Sequence, residues 1–347
     1  MTKIGIPKET KQAERRVALL PEACHTLIKA GHSVFLETKA GLEAGFDDTS
    51  YESLGVRILP DAKSLYGTAE LIVKVKEPQP EELLFLRKDH LLFCFLHLAA
   101  FPLLTEGLKS IGLTAVGYET VEIDGQTPLL APMSAVAGRL SVQLGAWFLH
   151  APQGGRGVLL GGFDQTDCGR VMILGAGVAG SQAAILALGM GAETFVFDVQ
   201  EKPLAELAKK APGVKTLMST PENINLHLPD TDLLIGAVYL RGKAAPKIIS
   251  RSQIGLMAKG TVVIDVAIDQ GGCVETSKPC TYQEPVYEVM GVLHSAITNL
   301  PAAVPHTASI ALSRAILPYL MKLADGNLDG PLLKGINIKD HELKIEF

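Results

Sequence analysis

The stretch VMILGAGVAGSQAA, residues 171–184, decides the fold. It places Gly175, Gly177 and Gly180 in the spacing GxGxxG, directly after the apolar residues 171–174 and before a small-residue helical run at 181–188. Glycine-rich turns are common, so the spacing alone says little; strand, turn and helix in that order make it specific. A second strand, 194–197, then ends on an acid, Asp198, 18 residues after Gly180. Each part has a physical task. Gly175 permits the tight turn, Gly177 lets a pyrophosphate approach backbone N–H groups, and Gly180 lets helix and strand pack closely. The helix N-terminus offers the positive end of its dipole to phosphate. Asp198 is placed to accept hydrogen bonds from a ribose diol and to repel a 2′-phosphate, so the segment predicts NAD rather than NADP. Residues 171–192 carry no charge, but five glycines, Ser181 and Gln182 interrupt them. They read as a buried strand and helix, not a membrane span.

Outward from this motif, 347 residues suggest two domains. A chain 47% hydrophobic and 20% charged can bury a large core, which excludes disorder. Lys plus Arg number 32 against 37 Asp plus Glu, a net charge of −5 with no basic segment, so no nucleic-acid partner is expected. The five cysteines, 24, 94, 168, 273 and 280, form no CxxC pair and no zinc-spaced cluster. Free thiols in a reducing compartment, and no metal, are the expectation. MTKIGIPKETK runs straight from Met into a strand-like KIGI, so the chain reads as soluble and cytoplasmic, without signal peptide or membrane partner.

Strand-like runs lie at 3–6, 33–36, 71–75, 91–96 and 113–118, with a helix at 22–30 that ends at Gly31. Turn chemistry falls at AGLEAG (40–45) and EPQP (77–80). After PLLAPM (128–133) a long helix, 134–149, is expected with Ser134 as its N-cap. QGGRGVLLGG (153–162) is too glycine-rich for a regular element, and strands follow at 171–174, 194–197, 232–238 and 261–266. From 304 onward a helical period places apolar residues at 308, 311, 312, 315 and 316, and this helix is expected to return to the first domain. The expected architecture is α/β: two doubly wound Rossmann-like domains with a cleft between them. Residues 1–130 with 305–347 form the substrate domain, and an NAD-binding domain, 131–304, is inserted centrally.

Ligands of open α/β sheets sit outside the carboxyl ends of the strands. Arg16, beside Arg15, follows KIGI; Lys74 and Lys76 close LIVKVKEP, where alternation turns both to one side; His97 follows LLFCFL. A guanidinium and an ammonium clamp a small carboxylate well, and a histidine there exchanges protons near neutral pH. Blander readings stand beside these. A strand-end histidine is often a hydrogen-bonded structural residue, and Lys74 could lie on a solvated face. In TVVIDVAIDQGG (261–272), Asp265 and Asp269 precede a Gly-Gly turn. Asp269 either faces a bound nicotinamide or caps the turn.

With these residues in view the chain resembles the alanine dehydrogenases, relatives of the nucleotide-binding portion of nicotinamide nucleotide transhydrogenase. The resemblance runs through KIGIPKETK, ERRVALLP, LIVKVKEP, FLHLAA, YETVE, PLLAPMS, QGGRGVLLGG, LGAGVAG, DVAIDQGG and NLPAAVP, nearly the whole chain in order. It implies that Arg16 and Lys76 hold the substrate carboxylate and that His97 and Asp269 are catalytic. Cofactor contacts are implied at Ser134, Val178, Ala179, Asp198, Ser219, Val238, Val266, Ala267, Ile268, Asp269 and Asn299, beside the three glycines.

The chain departs from the family at several places. It has Asn299-Leu300-Pro301 for NMP, Pro305 to Ser309 for PRTST, Ala135 for an acid and Lys278 for an arginine, and MKLADGN lacks the acid–histidine pair some members carry. The implied activity is NAD-dependent, reversible deamination of L-alanine to pyruvate and ammonium by a homo-oligomer. The alternatives are another small amino or keto acid, transhydrogenase-like hydride exchange, or a non-catalytic NAD-binding subunit.

Overall fold

A computed structural model describes residues 1–240 and 244–345. The chain divides into two compact units, Met1–Met133 with Pro301–Phe347, and Ser134–Leu300. Glu346 and Phe347, the end of the expected substrate segment, lie outside the described residues.

The first unit opens with β1 (Lys3–Ile6), β2 (Ser33–Glu37), β3 (Arg57–Leu59), β4 (Leu71–Val73), β5 (Leu91–Cys94) and β6 (Thr114–Gly117). They pair in parallel in the order β3-β2-β1-β4-β5-β6. Helices cover both faces of such a sheet, which is why its inner strands are continuous apolar runs such as LLFC rather than alternating ones. The helix Pro21–Lys29 carries Gly31, at φ +92, just past its end, where a left-handed residue closes the last turn.

The second unit holds β7 (Arg170–Leu174), β8 (Glu193–Asp198), β9 (Lys215–Met218), β10 (Leu233–Gly236), β11 (Val262–Asp265), β12 (Tyr287–Val289) and β13 (Val292–Ser295). Its parallel order is β9-β8-β7-β10-β11-β13, with β12 antiparallel on the edge. The chain then returns to the first unit. The helix Pro305–Ala324 buries Leu312, Ile316 and Leu320 in one cluster with Ile4, Ile6 and Val73. Then β14 (Ile336–Lys339) and β15 (Glu342–Leu343) extend the first sheet beyond β6 in antiparallel fashion.

Both sheets are therefore doubly wound. Strand order reverses between β1 and β4 in one and between β7 and β10 in the other, and ligands of such sheets sit outside the carboxyl ends at the reversal. Two serines of the returning helix serve the loop after β1: Ser309 Oγ accepts from the Val17 amide and Ser313 Oγ from the Leu20 amide, both at 3.0 Å. The long helix spans Ala131–Phe148 instead of 134–149. Pro132 sits in its first turn, where a missing N–H leaves no bond unmade, so Ser134 lies inside the helix and is not its N-cap. Among the described residues no helix is long and apolar enough to cross a membrane.

Candidate active site

In the first unit, four polar residues gather outside the ends of β1, β4 and β5. Arg16 follows β1 and is 2% exposed, whereas its neighbour Arg15 points to solvent. Arg16 Nε donates to Glu14 Oε1 at 2.7 Å, Nη2 donates to Glu14 Oε2, and Nη1 meets Met133 Sδ at 3.1 Å. Glu14 thus takes one edge of the guanidinium and fixes its plane. Lys76 is nearly buried beyond β4, and its ammonium lies 3.8 Å from Glu77 Oε2.

Lys74 has a different task from Lys76. It is completely buried, with its ammonium 3.3 Å from Glu9 Oε2 and 2.7 Å from Glu82 Oε1, so it lies on no solvated face. Glu9 in turn accepts from the amides of Val75 at 2.6 Å and Lys76 at 3.4 Å, which ties the loop after β1 to the end of β4. Glu82 also accepts from Tyr66 Oη at 2.9 Å and Thr10 Oγ1 at 3.0 Å. One ammonium therefore serves two carboxylates. Burial pushes Glu9 up to about 7, Lys74 pulls it down, and Glu14 and Glu82 add to the rise.

His97 follows β5 in a left-handed conformation, φ 47 and ψ 40. Non-glycine residues hold that conformation only where their surroundings impose it. Here Glu119, just past β6, imposes it: Glu119 Oε1 accepts from the amides of His97 at 2.6 Å and Leu96 at 3.1 Å. The imidazole stacks flat on Phe95, 5.6 Å between centroids, and keeps 35% of its side chain exposed. Burial, and then the cations of Lys76, Lys11 and Arg16, hold its pKa well below the usual 6.5. At neutral pH this imidazole is uncharged and able to take a proton. Lys11 pairs with Glu77 and lies 5.3 Å over the Phe101 ring.

The second unit presents its glycines at the β7–β10 reversal. Gly175 has φ +100, and a Cβ there would come within 2.6 Å of Ala237 O and 3.3 Å of Val238 N. A Cβ on Gly180 would fall 1.8 Å from Gly175 O, so only glycine lets helix and turn close together. At Gly177 a Cβ would meet nothing within 4 Å. That space lies before the helix Val178–Gly189, whose N-terminus has no side-chain cap, and an anion suits both features. Val178 and Ala179 form its first turn, and a Cβ at Gly138 would lie 2.0 Å from Ala179 O. The helix bearing Ser134, one turn before Gly138, therefore passes close to that N-terminus.

Asp198 ends β8. Its carboxylate accepts from the amides of Ala176 at 2.7 Å and Gln200 at 2.9 Å, and its carbonyl from Ser219 N at 2.9 Å. Glycine turn, helix N-terminus and acid together fit a dinucleotide.

Beyond β11 the turn-capping role belongs to Asp265. Its oxygens accept from the amides of Ala267 at 3.1 Å, Cys273 at 2.9 Å and Val274 at 3.1 Å. Asp269 is exposed on the short 3₁₀ turn Val266–Gln270, whose Ala267 and Ile268 are buried. Asn299 is left-handed at φ 59. Among the described residues no three His, Cys, Asp or Glu side chains are grouped to hold a metal.

Reading the residues singly finds the cations and the histidine but not their carboxylate supports, Glu9, Glu14 and Glu119. The visible signal was thin: Glu14 stands two residues before Arg16, and Glu119 inside YETVE.

Family models described as alanine dehydrogenase/PNT, N-terminal and C-terminal domains, match residues 5–137 and 141–345. An alanine dehydrogenase of Halomonas elongata is 46% identical, covering 98% of this chain and 94% of its own length. One from Bacillus subtilis is also 46% identical, over 93% and 85%. A solved L-alanine dehydrogenase superposes with TM-score 0.94 at 48% identity, covering 99% of this chain and 96% of that one. A transhydrogenase from Sinorhizobium meliloti, 23% identical with TM-score 0.86, shares the fold.

Proposed function

The chain belongs to the alanine dehydrogenase/PNT family, and from that premise we propose that it catalyses the NAD-dependent, reversible oxidative deamination of L-alanine to pyruvate and ammonium. The observation that carries this reading is the gathering of Arg16 and Lys76 about an uncharged His97. Two cations beside a neutral imidazole suit a substrate that carries a carboxylate and exchanges a proton.

Arg16 anchors the substrate carboxylate by directed hydrogen bonds, with Glu14 fixing the guanidinium plane; Lys76 adds its charge. His97 takes a proton from the water that adds to the imine and returns it to nitrogen as ammonia leaves. Asp269 stabilises the positive charge on the imine nitrogen. When bound, NAD supplies the acceptor for the hydrogen that leaves the substrate Cα with its electron pair.

Residues 131–304 bind the cofactor in this reading, through Gly175, Gly177, Gly180, Ser134, Val178, Ala179, Asp198, Ser219, Val238, Val266, Ala267, Ile268 and Asn299. Residues 1–130 with 305–347 bind the substrate. Asp198 selects NAD over NADP, and Asp198→Ala should narrow that preference.

The protein is taken to act as a homo-oligomer in the cytoplasm. Exposed Trp147, Leu159 and Met190 around one pocket favour self-association, and five free cysteines, four of them buried, suit a reducing compartment. The functional test is NAD reduction across a panel of L-amino acids. L-Alanine should give the highest kcat/KM; a larger value for another amino acid would reassign the substrate, and no reduction with any would remove the activity.

A further inference from the structure

The turn that carries Asp269 is held from two sides. From within, Asp265 takes the amides of Ala267, Cys273 and Val274. A Cβ on Gly272 would come within 2.7 Å of Asp265 Oδ2, so nothing larger than glycine fits over that anchor. The turn closes on itself as Gly271 N donates to Ile268 O at 2.9 Å and Gly272 N to Ala267 O at 3.0 Å. That closure satisfies the amides of the two glycines and leaves their carbonyls pointing outward.

From without, those carbonyls meet Lys247. Its ammonium donates to Gly271 O and, at 2.8 Å, to Gly272 O. A cation on the terminal carbonyls of a helical turn is the favourable arrangement, and charged donors make the stronger hydrogen bonds. The neighbours of Lys247 grip the same turn. Ala245 N donates to Gln270 O at 2.8 Å and Ile248 N to Cys273 O at 2.8 Å. The Gln270 side chain exchanges hydrogen bonds with both backbone groups of Leu240, at 2.9 and 3.3 Å. Leu240 lies two residues beyond Val238, whose amide borders Gly175 of the glycine turn. Lys247 itself is exposed and packs in no core, so two carbonyls at the end of the Asp269 turn account for its placement.

We propose that Lys247 is a positioning residue for Asp269: by bridging the Gly271 and Gly272 carbonyls it holds the 266–270 turn in the pose that presents the Asp269 carboxylate. The inference rests on Asp269 being catalytic. Lys247 makes no contact with the reacting atoms in this account; it acts by fixing where a carboxylate stands, and misplacement by about 1 Å costs on the order of 100-fold in rate.

The test uses Lys247→Met, Lys247→Arg, Asp269→Asn and the double variant Lys247→Met/Asp269→Asn, read by steady-state kinetics, NADH binding and backbone hydrogen exchange of the cofactor-free protein. Lys247→Met should lower kcat for L-alanine by roughly 10- to 100-fold and weaken NADH binding by less than that, since the turn it loosens also carries Val266, Ala267 and Ile268. It should also speed exchange in 266–274 and not elsewhere. Lys247→Arg, which still donates to two carbonyls, should recover most of the rate, and Lys247→Met should cost nothing more in the Asp269→Asn background. Unchanged exchange at 266–274, wild-type turnover of Lys247→Met, or an undiminished further loss in the double variant would each overturn the inference. Wild-type turnover of Asp269→Asn would instead remove the reading beneath it.

Discussion

The amide of His97 donates to Glu119 Oε1 at 2.6 Å, and this one bond joins the ends of two neighbouring strands, β5 and β6. The same oxygen takes the Leu96 amide at 3.1 Å. A carboxylate on two successive amides turns the chain at His97 into its left-handed conformation and lifts the imidazole onto Phe95. Glu119 thus sets where His97 stands, while burial and then the surrounding cations hold its pKa down.

His97→Asn keeps a hydrogen-bonding side chain of similar reach, and asparagine tolerates the left-handed conformation, but it carries no titratable group. Turnover should fall by roughly two to four orders of magnitude with NADH binding little changed. Near-wild-type turnover in a folded, NADH-binding variant would make His97 a structural residue.

Arg16→Lys keeps the charge and loses the planar fork. Catalytic efficiency for pyruvate should fall about 10- to 100-fold, the value of one hydrogen bond to a charged group, while NADH affinity holds. Loss of NADH binding would move Arg16 into the cofactor site or the fold.

Lys11 is one of three cations that depress the pKa of His97. A base held well below 6.5 stays deprotonated as pH falls past that value, so the acid limb of kcat/KM for L-alanine should lie below pH 6.5. Lys11→Met removes a positive charge and should shift that limb upward, towards 6.5. A limb that stays in place or moves down would show that Lys11 does not act on His97.

Burial raises Glu9 from 4.5 to about 7 even with the Lys74 ammonium beside it. A raised folded pKa means that its stabilising contribution is complete below pH 4.5 and is lost as pH climbs through about 7. Glu9→Gln cannot ionise. Across that window the wild type should lose roughly 3 kcal/mol relative to Glu9→Gln in urea unfolding. A difference that does not change with pH would mean that Glu9 is ionised at no cost.

Much of this was written in the sequence, and the exceptions have physical causes. The glycine turn with its flanking strand, helix and Asp198 is local, so the order of these parts along the chain locates it. Most parallel inner strands are continuous apolar runs and stand out for the same reason, but Val292–Ser295, interrupted by His294, does not. The short edge strands did not. Arg57–Leu59 and Lys215–Met218 bury little, and the antiparallel additions near the C-terminus follow polar, turn-rich sequence.

Arg16, Lys76 and His97 could be named because each follows a legible strand. Two of their supports could not, since Glu9 and Val75 are 66 positions apart, and Glu119 and His97 are 22. Only folding brings such pairs together. The same limit concealed Lys74: a lysine at a strand end reads as solvated until two distant glutamates are seen to enclose it. Between Asp265 and Asp269, spacing could not say which one caps the turn; the amides of Cys273 and Val274, supplied by the chain's return, decide for Asp265.

The central claim is that the chain removes hydrogen from the Cα of L-alanine and gives it to NAD. Incubation of the protein with NAD and L-alanine deuterated at Cα, followed by mass analysis of the NADH and assay of pyruvate, tests it most directly. The account predicts one deuterium in each NADH and one pyruvate for each NADH formed. NADH without deuterium, or pyruvate formed without NADH, would contradict it.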